Sequence, residues 1–212
     1  MLDAAKRIKL QNFADEIASE VPLTPAIYRA FASVDREIFV PTGFRRWAYS
    51  LDALPMGGKQ WISSPLTVAK MTVYLEPEGA DSVLEIGCGS GYQAAILSHL
   101  FRRVFTIERI ESLLKEAKER FKRLDIHNIH TRLDDGQRGW RQFAPYDRIL
   151  LSASIPAIPE PLFEQLAEGG ILVAPIEKGG EQIITRYRKV GGRIESGVKE
   201  RCLFVPIRDG IE

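Results

Sequence analysis

The chain has 212 residues, of which 45% are hydrophobic and 27% charged; 29 Lys and Arg against 28 Asp and Glu leave a net charge of +1. That balance argues against a protein that grips a nucleic-acid backbone over a long track, and the length suffices for a core without metal or disulfide staples. Cys88 and Cys202 form no CxxC pair, His99, His127 and His130 fall at no metal-ligand spacing, no apolar run is long enough to span a bilayer, and residues 1–7 lack the apolar core of a secretory leader. The expectation is a cytoplasmic, metal-free, monomeric chain with no nucleic-acid or membrane partner.

Residues 2–20 carry apolar side chains at helical spacing, and Pro22 ends the run. Thr24-Pro25 reads as an N-cap with proline in the first turn and opens a short helix to about Val34. Residues 35–59 break into a loop marked by Pro41, Gly43, Pro55, Gly57 and Gly58. Ser64-Pro65 repeats the cap-and-proline signal for a helix to about Leu75, which Glu76-Pro-Glu-Gly79 closes. An alternation follows: strand 82–86, helix 92–101, strand 103–107, helix 110–124, strands 129–133 and 146–152, helix 159–167 capped by Gly169-Gly170, and strand 171–176. Short apolar strands separated by helices imply a parallel sheet covered on both faces. Residues 182–190, Gly191-Gly192 and a last strand near 201–207 read as an antiparallel pair. The fold class is α/β: a doubly wound, mostly parallel sheet in one domain. Residues 1–75 form a helical extension, 76–176 the ligand-binding core and 177–212 the antiparallel part.

The segment Val83-Leu-Glu-Ile-Gly-Cys-Gly-Ser-Gly-Tyr92 joins the first strand of the alternation to its helix. Gly87, Gly89 and Gly91 permit a tight turn and close approach of a ligand to the backbone. Glu85 ends the strand, and Glu108 ends the next one about twenty residues on, where an acid accepts hydrogen bonds from ribose hydroxyls. A dinucleotide loop has its third glycine one position later, where this chain has Tyr92, and Glu85 would repel a pyrophosphate but attract an ammonium group. S-adenosylmethionine, with an amino-acid end, a ribose and no phosphate, fits these acids better; a tight turn with no ligand is the alternative. Asp134-Asp135-Gly136 follows the third strand on the same rim and reads either as a turn or as an acceptor for the adenine amino group.

Four blocks resemble the protein-L-isoaspartate (D-aspartate) O-methyltransferase family, a branch of the class I, Rossmann-like methyltransferases. They are Asp35-Arg-Glu-Ile-Phe-Val-Pro41, Leu54-Pro-Met-Gly-Gly-Lys-Gln-Trp-Ile-Ser-Ser-Pro65, the glycine loop through Ala95, and Tyr146-Asp-Arg-Ile through Leu162 with Gln165-Leu166 and Gly169-Gly170; Phe204-Val-Pro206 also fits. The glycine loop alone indicates only a methyltransferase; the Gln60-Trp-Ile-Ser63 segment is the specific part. The resemblance implies Ser63 as the active-site serine, with Gln60, Trp61, Ile62 and Ser63 against S-adenosylmethionine. It also implies Gly87, Gly89 and Glu108 at the cofactor's amino-acid and ribose portions, and Asp135-Gly136 near its adenine. Lys59 and Trp61 depart from the family's usual Gly and small residue, Leu66 from a frequent His or Tyr, and Asp134 from Gly.

The implied reaction moves a methyl group to the free α-carboxylate of an isoaspartyl residue in a damaged protein or peptide. That carboxylate is ionised at neutral pH, so no general base is needed, and the sequence offers no His/Asp dyad for one. Ser63 precedes a helix N-terminus that favours an anion, so it either orients the carboxylate or helps to cap the helix. Two rival functions are a class I methyltransferase with a small-molecule acceptor and a non-catalytic module that binds S-adenosylmethionine.

Overall fold

The computed structural model describes residues 4–212. The expected start of the first helix at Leu2 lies outside the described residues. From there α1 (Ala4–Glu20) buries Leu10, Phe13, Ala14 and Ile17, whose steps of three and four form one face. α2 (Pro25–Ser33) begins under Thr24, whose hydroxyl accepts from the Ile27 N–H at 3.4 Å. α3 (Pro65–Leu75) begins under Ser64, whose hydroxyl accepts from the Thr67 N–H at 3.1 Å, and ends at Glu76 in the left-handed region. Both N-termini therefore form as the cap-and-proline signal predicts.

Seven strands make the main sheet: β3 (Ser82–Ile86), β4 (Arg103–Glu108), β5 (Ile129–Leu133), β6 (Tyr146–Leu151), β7 (Leu166–Lys178), β8 (Glu181–Val190) and β9 (Arg193–Cys202). Their order is β5-β4-β3-β6-β7-β8-β9, with β3 to β7 parallel and β8 and β9 antiparallel. This is the doubly wound sheet that the alternation implies. All five residues of β3 are buried, as befits a central strand covered on both faces. From β3 the chain steps outward to β4 and β5, then crosses back to β6 on the other side. The loops that follow β3 and β6 therefore part, and a crevice opens at the carboxyl ends of these two strands.

One face carries the larger apolar cluster, where α1, α2 and α3 join α4 (Tyr92–Ser98) and α5 (Glu111–Arg123). The other carries a smaller cluster with α6 (Glu160–Glu164) and an aromatic group, in which Phe105 stacks on Phe143 at 4.7 Å and meets Trp140 edge-on at 5.7 Å.

Four boundaries differ from the sequence expectation. The loop 35–59 contains two 3-10 turns, Arg36–Ile38 and Thr42–Trp47, and near its end a short hairpin forms: β1 (Leu54–Pro55) lies antiparallel to β2 (Trp61–Ile62). Two residues per strand are too few for an alternation to register. α4 stops at Ser98, not 101, because the chain tightens there into turns that lead to β4. The helix expected over 159–167 keeps only Glu160–Glu164, and Gly169-Gly170 cap nothing: β7 already begins at Leu166, opposite Tyr146. The next pair is Arg148 with Ile171, so the two glycines lie in a bulge of β7; Gly169 has φ +74°, and a Cβ on Gly170 would sit 2.7 Å from the Ala167 carbonyl oxygen. The last strand is Arg193–Cys202, not 201–207, since Gly191-Gly192, both at positive φ, turn the chain straight back along β8. Most of its side chains are exposed, so no apolar pattern announces it.

Candidate active site

The crevice holds a cavity of about 1020 Å³, counting its open mouth. Its floor is the turn after β3. Gly87, Gly89 and Gly91 adopt φ of +95°, +53° and +87°, a region where side chains are strained, and the N–H groups of Gly87 and Cys88 both donate to the Ile107 carbonyl. Glu108 closes this floor at the end of β4. One carboxylate oxygen accepts from the Gly89 N–H at 2.8 Å, the other from Arg109 and Ile110 at 2.9 and 3.0 Å. The first oxygen keeps a lone pair for a ligand hydroxyl.

Facing the floor is the hairpin β1–β2. Its tip docks onto the start of α5, where a Cβ on Gly58 would come within 3.2 Å of Ile110, and the Met56 side chain reaches toward Gly89. Lys59 sits at the tip with φ +54°, a conformation that favours the glycine implied there by the family resemblance. Gln60, Trp61, Ile62 and Ser63 come next and all line the cavity; Ile62 is buried, whereas Trp61 remains 55% exposed at the mouth. Ser63 leads directly into α3 through Ser64 and Pro65, so the positive end of that helix points toward the cavity rim.

A third wall comes from far along the chain. Phe204, Val205, Pro206, Ile207 and Arg208 line the cavity, and the bridge of Pro206 to Ser154 ties them to the loop after β6. The segment beyond them is pinned beside the acids. Asp135 accepts from Gln137 at 3.0 Å and Gly210 at 3.1 Å, Arg109 pairs with the Glu212 side chain at 2.9 Å, and the backbones of Arg109 and Glu212 bond as well. Burial would raise the Asp135 carboxyl, but these backbone N–H donors outweigh it and hold the group below its ordinary range.

A profile of the family described as protein-L-isoaspartate(D-aspartate) O-methyltransferase matches residues 9–212. The chain belongs to this family. A protein-L-isoaspartate O-methyltransferase of Helicobacter pylori (strain G27) is 54% identical over 97% of this chain and 99% of its own length, and one of Shewanella frigidimarina is 40% identical over 94% of each. A solved protein-L-isoaspartate O-methyltransferase superposes with a TM-score of 0.85 at 27% identity, covering 94% of this chain; the chain spans only 65% of that structure. A Plasmodium falciparum structure of the same description, in complex with S-adenosyl-L-homocysteine, shares the fold at a TM-score of 0.84 and 21% identity, over 94% of this chain and 98% of its own.

Of the site residues expected from the sequence, Gln60, Trp61, Ile62, Ser63, Gly87, Gly89, Glu108 and Gly136 share one cavity. Three others stand behind its lining. Glu85 is wholly buried and accepts from Thr106 at 2.6 Å and Ser152 at 3.4 Å. Gly91 faces α5, where a Cβ would meet the Phe121 ring at 2.7 Å. Asp135 turns toward Gly210. Sequence reasoning does not single out the wall 204–208, Thr67 and Met71 of α3, Tyr92 and Gln93 of α4, or Arg36. Phe204-Val-Pro206, the Asp35-Arg36 block and the glycine loop through Ala95, which contains Tyr92 and Gln93, are the parts of the family pattern that signal some of them. Among the described residues no group of His, Cys, Asp and Glu could hold a metal, and no helix is long and apolar enough to cross a membrane.

Proposed function

We propose that this chain transfers a methyl group from S-adenosylmethionine to the free α-carboxylate of isoaspartyl residues in damaged proteins and peptides. It does so as a single-domain monomer in the cytoplasm, without a nucleic-acid or membrane partner. One observation carries the reading: in a member of this family, the glycine loop and the Gln60–Ser63 segment wall the same cavity from opposite sides. The residues fit a cationic, phosphate-free donor. A pyrophosphate would meet the Glu108 carboxylate, whereas a ribose hydroxyl would donate to it.

Gly87 and Gly89 offer backbone to the amino-acid end, and Gly136 frames the adenine. Asp135 supports that end from behind, Gly91 lets α4 pack closely on α5, and Glu85 braces the strand end through Thr106 and Ser152. Gln60, Trp61 and Ile62 close the remaining side. Bound S-adenosylmethionine supplies an electrophilic methyl group. The acceptor carboxylate, with a pKa near 4, arrives ionised and needs no base. Ser63 and the N-terminus of α3 orient that anion by hydrogen bonding and the helix dipole.

The test is methyl transfer to an isoaspartyl peptide, with the normal aspartyl peptide as control. Turnover is expected on the first alone, and Ser63→Ala is expected to lower kcat/KM by roughly 10- to 100-fold, the worth of a hydrogen bond to a charged group. A protein that binds S-adenosyl-L-homocysteine but methylates neither peptide would sink the reading.

A further inference from the structure

We propose that Arg36 is a positioning residue for methyl transfer: it sets the placement of the Gln60–Ser63 segment without touching either reactant. The inference rests on the function proposed above. Arg36 is fully buried, yet among the described residues no carboxylate pairs with it. Its donors go to main-chain carbonyls instead. Nη1 donates to Ala48 at 2.9 Å and Ser50 at 3.1 Å, and Nη2 to Asp52 at 2.9 Å and Ser63 at 3.2 Å. The first three carbonyls precede β1 and the fourth comes after β2. One planar fork therefore spans the base of the hairpin and fixes the two ends of the loop relative to each other.

Ser63 is held at its carbonyl by this fork and at its following residue by the cap of α3, which fixes the backbone from which its side chain projects. Asp35 next door does not compete, because Lys6 at 2.7 Å and Tyr49 at 2.5 Å already engage its carboxylate. On its other side the guanidinium carbon lies 5.8 Å from the centroid of the Tyr92 ring, and Tyr92 opens α4 directly after the glycine loop and lines the cavity. A single side chain thus touches the acceptor segment and the helix that carries the cofactor loop.

The arrangement also carries a cost. A buried, unpaired cation is unfavourable, and so is each buried polar atom left without a partner; Arg36 Nε, the Ser50 hydroxyl and the Tyr92 hydroxyl are all in that state. An apolar plug would remove the buried cation but leave the carbonyls of Ala48, Ser50, Asp52 and Ser63 without this donor, so what the fork supplies is the tie between the two ends of this loop.

The experiment compares Arg36→Lys and Arg36→Met with the parent protein by peptide kinetics, calorimetric binding of S-adenosyl-L-homocysteine and amide hydrogen exchange. The expected result is a kcat/KM for an isoaspartyl peptide at least roughly tenfold lower in both variants, with affinity for S-adenosyl-L-homocysteine kept within about threefold. Faster exchange should be confined to residues 48–63. Unchanged kcat/KM in Arg36→Lys would overturn the proposal, as would affinity lost in step with turnover, exchange spreading into β3 and β6, or failure of both variants to fold; the last three would make Arg36 a general folding residue. A parent protein that does not methylate the isoaspartyl peptide would fell the functional reading itself, and is told apart because it needs no variant.

Discussion

The glycine loop and the hairpin opposite enclose one cavity but are held in opposite ways. In residues 87–91 the conformation is written into the backbone: three glycines at positive φ, and N–H groups aimed at the Ile107 carbonyl and the Glu108 carboxylate. In residues 48–63 the chain makes a two-pair ladder and a tight turn at its tip, and is held at both ends by the Arg36 side chain, 12 residues before Ala48 and 27 before Ser63. A segment fixed by its own backbone tolerates almost no substitution. One fixed from outside is freer at its tip, where Lys59 stands in place of the glycine that the family resemblance implies.

The sharpest way to break this contrast is Gly91→Ala. At φ +87° an alanine is strained by about 1–2 kcal/mol, and its Cβ would press on the Phe121 ring at 2.7 Å, for overpacking of about 1–3 kcal/mol more. We expect the melting temperature to fall by roughly 5–15 °C. A shift near zero would mean that the loop is not fixed by its glycines.

A smaller effect tests what lies behind the loop. Burial, reinforced by the charge of Glu108, pushes the Glu85 carboxyl up to about 8, against an ordinary 4.5, although hydrogen bonds from Thr106 and Ser152 pull the other way. Between those two values the folded protein keeps a proton that the unfolded chain has lost, so this group makes stability fall as pH rises, by about 1.4 kcal/mol per pH unit. In Glu85→Gln that component should vanish. Denaturant titrations of both proteins between about pH 5 and 8 check it: parallel profiles would show that Glu85 is charged in the fold.

The smallest effect is at the hairpin tip. Lys59→Gly relieves a left-handed residue, partly offset by the greater freedom of glycine in the unfolded chain, for a net gain of about 0.5–1 kcal/mol. Turnover should be unchanged, since the anchor at Arg36 is untouched. Loss of activity would show that the tip itself sets the geometry of Ser63.

The contrast also explains which features could be read from the sequence. The caps Thr24 and Ser64 and the buried run of β3 depend on neighbours a few residues away, and the glycine loop on the φ of its own residues, so local patterns reveal them. The start of β7 at Leu166 depends on pairing with Tyr146, and β9 on a turn that folds an exposed, charged strand against β8; neither leaves a local hydrophobic signature. The same holds at the site. Glu108 and Ser63 stand in recognisable segments, but that Glu85 turns away from the cavity, that Asp135 grips Gly210, and that Arg36 reaches Ser63 depend on contacts spanning 21 to 75 residues.

The wall formed by Phe204 to Arg208 has a consequence for how the protein comes into being. A ribosome delivers the β3 turn and the Ser63 loop more than a hundred residues before it delivers this wall. Until then the crevice stands open on one side, so a nascent chain can assemble the centre of its sheet without being able to enclose a ligand. Competence for chemistry arrives late in synthesis, after the scaffold that supports it.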